Sequence, residues 1–263
     1  MSKRISEALQ QLQQKNKKAL IPYITPEFPI QGVTVPLIVE LEKAGATHIE
    51  VGIPFSDPLA DGPTIQHSSD VAIKNGASLV TVLQRVSEAR RQTSIPIILM
   101  GYVNPILHFG IEKFFNEARE AGVDGLIIPD LPPEESEEVC RYSHKNEISN
   151  IFLIAPTSTS ERIQHIDTLS TDFSYCVSVT GVTGARNSFG DETGFEEFLK
   201  RVKQHTRKPF VVGFGIKEKK QIDVVTRYAD GVVIGSALLQ AIGSHTTVQA
   251  VTDSAKQFLQ PLV

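Results

Sequence analysis

Short apolar runs alternate with segments of helical period from one end of the chain to the other. Eight runs are predicted strands: Leu20–Thr25, Ile49–Gly52, Ile97–Gly101, Gly125–Pro129, Ile151–Ala155, Phe173–Ser178, Phe210–Gly213 and Gly231–Ile234. They are continuous rather than alternating, which is the pattern of parallel strands covered on both faces. Helical period falls between them, as in Val35–Lys43, Leu79–Gln92, Ile111–Ala121, Glu134–Asn146 and Phe195–His205, and Ile5–Lys15 adds a helix ahead of the first strand. The segments Ala44-Gly45-Ala46, Ala121-Gly122-Val123-Asp124-Gly125 and Ala229-Asp230-Gly231 each end a helix and launch a strand. Glycine there accepts the left-handed conformation that closes a helix, and these turns carry no expected chemistry. The alternation predicts an α/β fold, a (β/α)8 TIM barrel with an extra N-terminal helix, with residues 1–263 as a single domain. The longest stretch without periodicity, Val179–Gly194, is punctuated by four glycines and reads as a lid.

Composition narrows the function classes. A net charge of −4 speaks against a general attraction to nucleic acid or to an anionic membrane. The short cluster Lys217, Lys219 and Lys220 reads as a solvated helix start. Cys140 and Cys176 lie far apart without ligand-like spacing, as expected of reduced thiols. No apolar run approaches the roughly 20 residues of a membrane span, and Met1–Ile5 lacks the apolar core of a secretory signal. A cytoplasmic location is expected.

In a barrel the informative positions are the carboxyl ends of the strands. The second strand sets Glu50 between Ile49 and Val51. Burial disfavours a charged carboxylate, so Glu50 suits proton transfer near neutrality; pairing with a lysine or arginine inside the barrel is the other role open to it. The segment Gly52–Pro63 holds three prolines and two glycines, a rigid loop from which Asp61 can reach back over the mouth toward Glu50. Asp57 and Asp61 equally suit turn or helix capping. Gly213-Phe214-Gly215 follows the seventh strand, and Gly235-Ser236 follows the eighth and opens a helix. Amides at such a helix start, beside glycines, make an anion cradle in the loops that barrels often use for phosphate. No predicted strand contains a lysine for Schiff-base chemistry, and the seven histidines show no zinc-ligand spacing, so no metal site is expected. His48, beside Glu50, reads as a boundary or core residue. There is no Gly-x-Ser-x-Gly elbow. Acid–base catalysis by carboxylates remains.

The block from Glu50 to Gln66, Glu-Val-Gly-Ile-Pro-Phe-Ser-Asp-Pro-Leu-Ala-Asp-Gly-Pro-Thr-Ile-Gln, closely resembles the signature of the tryptophan synthase alpha chain family. The likeness extends through Tyr102-Val103-Asn104-Pro105, Asp130-Leu131-Pro132, Ser178–Gly184, Gly213-Phe214-Gly215-Ile216 and Gly235-Ser236, in order over nearly the whole chain. It implies retro-aldol cleavage of indole-3-glycerol phosphate to indole and glyceraldehyde 3-phosphate. Glu50 matches the family's acid–base residue, Asp61 the carboxylate that accepts the indole N–H, and Tyr175 a tyrosine that positions Glu50 or the substrate. By the same resemblance Gly184, Gly215, Gly235 and Ser236 hold the phosphate. Tyr23, Met100, Ile127 and Phe214 line the indole, and Thr183 bonds Asp61 when the lid closes.

The resemblance also implies a partner, a pyridoxal-phosphate-dependent beta chain in an alpha2-beta2 assembly that receives indole through a channel. Pro54, Asp57, Pro58, Asn104 and Pro132 match the docking surface, and no cofactor is expected in this chain. Two departures stand out. Pro26-Glu27-Phe28-Pro29 replaces the Gly-Asp-Pro of many relatives, and Val179-Thr180 stands where some have Arg-Ser. Three other readings are kept: a non-catalytic activating subunit, a stand-alone indole-releasing lyase, and another phosphate-binding barrel such as a sugar-phosphate isomerase. The uninterrupted Glu50–Gln66 block argues against the last.

Overall fold

The computed structural model describes residues 2–177, 192–213 and 215–263. Nine parallel strands form the sheet: β1 (Ala19–Ile24), β2 (Ile49–Gly52), β3 (Ile97–Met100), β4 (Gly125–Ile127), β5 (Ser149–Asn150), β6 (Leu153–Ile154), β7 (Ser174–Val177), β8 (Phe210–Gly213) and β9 (Gly231–Ile234). Their order, β5-β4-β3-β2-β1-β9-β8-β7-β6, begins and ends on two pieces of one strand. That is how the sheet closes into a (β/α)8 barrel. The continuous run Ile151–Ala155 predicts one strand, but the chain divides it. Ser149 and Asn150 pair with β4, Leu153 and Ile154 pair with β7, and the backbone crosses between. At the crossing, Ile151 N–H donates to Leu126 O at 3.0 Å, and Tyr175 N–H donates to Phe152 O at 3.0 Å. Strand tilt and stagger in a barrel set the two neighbours at different heights, so one strand serves them with different residues.

Helices connect the strands, from Thr34–Lys43 after β1 to Ser236–Ile242 and Val248–Leu259 after β9. The predicted helix Glu134–Asn146 is a 3-10 turn, Pro133–Glu135, followed by Glu137–Lys145. Ser136 breaks it, its Oγ donating to Pro133 O at 2.7 Å. Of the stretch Val179–Gly194 expected as a lid, Glu192–Gly194 belong to the helix Glu192–His205; the rest lies outside the described residues. Among the described residues no helix is long and apolar enough to cross a membrane.

The extra helix, Lys3–Gln14, plugs the amino-terminal end of the barrel. Its fully buried Ile5 reaches the base of β4, where a Cβ on Gly125 would lie 3.1 Å from Ile5 Cδ1. Asp124, assigned no chemistry from the sequence, is the buried anchor of this end. It accepts from Ser2 Oγ at 2.7 Å, Arg4 Nη1 at 2.9 Å and Ile97 N–H at 2.9 Å, and pairs with Arg90. His48 is also buried here, edge-on to Phe173 and hydrogen-bonded to Thr47 at 3.0 Å. It is a core residue.

Candidate active site

The opposite end of the barrel gathers the acidic and phenolic groups. Glu50 lies on β2, in register with Tyr23 of β1 and Ile98 of β3, and is 1% exposed. Neither of its carboxylate oxygens has a hydrogen-bond partner among the described residues. Among the described residues it forms no ion pair, the other role open to it. A buried carboxylate without a hydrogen-bond donor favours its neutral form. Burial pushes Glu50 up to about 8, and the charge of Asp61 adds to the effect.

Asp61 arrives from the loop after β2. Ile53 N–H continues the ladder to Met100 O at 2.7 Å, and Asp61 N–H closes a turn onto Pro58 O at 3.0 Å. Gly62 and Pro63 then open the helix Pro63–Lys74, with proline at a first-turn position where its missing N–H costs nothing. Gln66 Nε2 donates to Asp61 O at 2.8 Å. The carboxylate therefore serves neither as turn nor as helix cap. It accepts from Tyr102 Oη at 3.0 Å. Burial pushes Asp61 up to about 6, and the Tyr102 hydrogen bond opposes that rise.

Two tyrosines flank the carboxylates. Tyr23 and Tyr175 are both buried, and both phenols are held well above their usual range, first by burial and then by the charges of Glu50 and Asp61. Each lies over a glycine of an adjacent strand. A Cβ on Gly213 of β8 would come within 1.8 Å of Tyr175 Oη, and Gly52 stands in the same relation to Tyr23. Tyr23, expected as apolar lining, thus brings a hydroxyl into the site. The cleft beside Asp61 is walled by Tyr23, Ile53, Phe55, Met100, Tyr102 and Pro129. Ile127 is buried on β4 beside Met100 of β3, its register partner.

On the far rim, Gly215 adopts φ +78°, a conformation side chains rarely take, and is solvent-exposed. Gly235 caps the helix Ser236–Ile242. Thr183, Gly184 and Phe214 lie outside the described residues. Of the residues matched to a docking surface, Asp57 and Asn104 are exposed, Pro132 is half-buried, and Pro54 and Pro58 are buried within the chain, where they shape the loop. Among the described residues no three His, Cys, Asp or Glu side chains cluster to hold a metal.

Sequence reading missed Tyr102. Its segment, Tyr102–Pro105, carried part of the resemblance, but only Asn104 received a role. The loop after β1, the first departure, is held by buried contacts of Glu27. Glu27, at φ +60°, is buried and paired with Arg85 Nε at 2.8 Å.

Residues 9–261 match the family model described as tryptophan synthase alpha chain. The tryptophan synthase alpha chain of Chlorobium phaeovibrioides is 47% identical over 258 residues, 95% of this chain and 97% of that one. Among solved structures, tryptophan synthase subunit alpha from Legionella pneumophila superposes with a TM-score of 0.89 at 35% identity, covering 100% of this chain and 97% of that one. The tryptophan synthase complex from Pyrococcus furiosus contains a chain matching with a TM-score of 0.83 at 36% identity, covering 93% and 97%. With the acidic pair at the mouth of this barrel and likeness along nearly its full length, the chain belongs to the tryptophan synthase alpha chain family.

Proposed function

We propose that the chain cleaves indole-3-glycerol phosphate to indole and glyceraldehyde 3-phosphate, with Glu50 moving the proton and Asp61 holding the ring nitrogen. The observation that carries this reading is the pair of buried carboxylates at one barrel mouth with unequal proton affinities. Glu50 is pushed up to about 8 and Asp61 to about 6. Between those values the pair holds one proton, on Glu50, and one negative charge, on Asp61. Environments that push two carboxyl groups apart in this way separate an acid from an electrostatic stabiliser.

The proton then follows a closed cycle. Neutral Glu50 donates its proton to C3 of the indole, which places positive charge on the ring nitrogen. The Asp61 carboxylate accepts the ring N–H and offsets that charge. The bond between C3 and the side-chain carbinol carbon breaks, and its electron pair returns to the ring. The carbinol O–H electrons become the aldehyde C=O, and its proton returns to Glu50. The phosphate rests on Gly215, Gly235 and Ser236, with Gly184, while Tyr23, Met100, Ile127 and Phe214 surround the indole. Tyr175 orients Glu50 or the substrate, and Thr183 bonds Asp61 when the loop closes and excludes water.

The indole passes to a beta chain, which carries the pyridoxal phosphate and joins it to serine. Docking uses the loop bearing Asp57, with Asn104 and Pro132. Retention of both carboxylates argues against a subunit that only activates its partner. Purified chain with a beta chain should release glyceraldehyde 3-phosphate from indole-3-glycerol phosphate, and Glu50→Gln should abolish release while still binding an analogue that lacks the carbinol hydroxyl. Absence of release by the unaltered chain, alone and with a beta chain, would overturn this reading.

A further inference from the structure

Tyr102 is the one described side chain that hydrogen-bonds the Asp61 carboxylate. Its own position is strongly determined. The phenol is 6% exposed, and its ring lies tilted against Phe55 with centroids 5.5 Å apart. Tyr102 Oη accepts from Ala60 N–H at 3.0 Å while donating to Asp61 Oδ2 at 3.0 Å. A hydroxyl that accepts a hydrogen bond becomes a better donor, so these two contacts strengthen each other. The next residue, Val103, donates its N–H to Asp130 Oδ1 at 3.0 Å. Tyr102 and the backbone of Val103 thereby join the segments that leave β2, β3 and β4.

We propose that Tyr102 is a positioning residue for Asp61: its hydroxyl takes Oδ2, fixes the carboxylate plane, and leaves Oδ1 to receive the substrate's ring N–H. This rests on the role proposed for Asp61 above, and goes beyond it by naming what holds that group. The ring of Tyr102 also walls the cleft, so removing the hydroxyl separates positioning from packing. The groups that interact electrostatically with Asp61 are Tyr23 from β1, Glu50 from β2, Tyr102 after β3 and Tyr175 from β7. Among the described residues, only Tyr102 opposes the effect of burial on Asp61.

The test follows the carboxyl carbon of Asp61 by NMR in the full chain labelled with 13C-aspartate, the signal being assigned with Asp61→Asn. Tyr102→Phe keeps the ring and should raise the Asp61 titration midpoint by about one pH unit. Fluorotyrosine at residue 102, a stronger donor, should lower it. In cleavage assays with a beta chain, Tyr102→Phe should reduce kcat about 10- to 100-fold, the range of a lost charge-assisted hydrogen bond, with a smaller change in KM. The acid limb of its pH profile should move upward with the NMR midpoint. An unmoved midpoint in both variants would overturn the proposal and leave Tyr102 as wall only. A moved midpoint in a chain that cleaves no substrate would support the tie between Tyr102 and Asp61 while removing the lyase reading.

Discussion

The hydroxyl of Tyr23 fills the space that a side chain at residue 52 would need: a Cβ built on Gly52 would lie 2.1 Å from Tyr23 Oη. Tyr23 and Glu50 are register partners on β1 and β2, so Gly52 lies two residues beyond the proposed acid on the same strand. A methyl group at residue 52 must displace the phenol. Gly52→Ala is expected to lower kcat/KM on the order of 100-fold, as misplacement of about 1 Å near reacting groups does. Tyr23→Phe in the same chain should recover part of the loss. The 2.1 Å contact disappears, but the ring carbon 2.8 Å from the new Cβ remains. Equal activity of Gly52→Ala and the unaltered chain would contradict this packing.

Glu50 carries a stability cost that its removal should expose. Its folded value is raised from 4.5 to about 8. The unfolded chain therefore releases this proton first, and stability falls as pH rises through that interval. Glu50→Gln should abolish cleavage yet raise the unfolding free energy, slightly at pH 5 and by a few kcal/mol at pH 9. Denaturant titrations at the two pH values check this. A variant equally or less stable at pH 9 would show that Glu50 is not strained by burial.

These two carboxylates were the most legible part of the site. A lone Glu between Ile49 and Val51 announces itself in an apolar strand, and a loop stiffened by Pro54, Pro58 and Pro63 marks Asp61. Seven of the eight strand runs appear near their predicted bounds. The fifth does not, because an apolar run cannot reveal that Ile151 and Phe152 are where the backbone changes partners. Tyr102 and Asp124 were hidden for a different reason. Tyr102 meets Asp61 across 41 residues, and Asp124 meets Ser2 across 122. Pairings set by barrel closure leave no local period in the sequence. Thr183, Gly184 and Phe214 stand on the resemblance alone.

The departure at Pro26–Pro29 yields a separate expectation. Glu27 is buried, with Arg85 Nε 2.8 Å and Thr34 Oγ1 2.9 Å from its Oε1, and Gly32 N–H also donates to it. Removing one partner of a buried pair strands the other charge. Arg85→Met should therefore cost about 2 kcal/mol of stability, less than a fully buried pair because Arg85 is partly exposed and the backbone and hydroxyl donors remain. Glu27→Gln with Arg85→Met should lie closer to the unaltered chain than Arg85→Met alone. A double-mutant cycle by thermal denaturation measures the difference, and strict additivity would mean the pair contributes nothing.

The most direct test of the central claim is the pH dependence of kcat/KM for glyceraldehyde 3-phosphate release in the presence of a beta chain. Cleavage needs Asp61 charged and Glu50 neutral, so the profile should be a bell. Its acid limb should fall near 6 and its alkaline limb near 8, where burial places the two groups. Asp61→Asn should lose the activity, and Glu50→Gln should leave none at any pH. A rate that keeps rising from pH 6 to pH 10 would contradict the account, because the charged form of Glu50 would then be the active one.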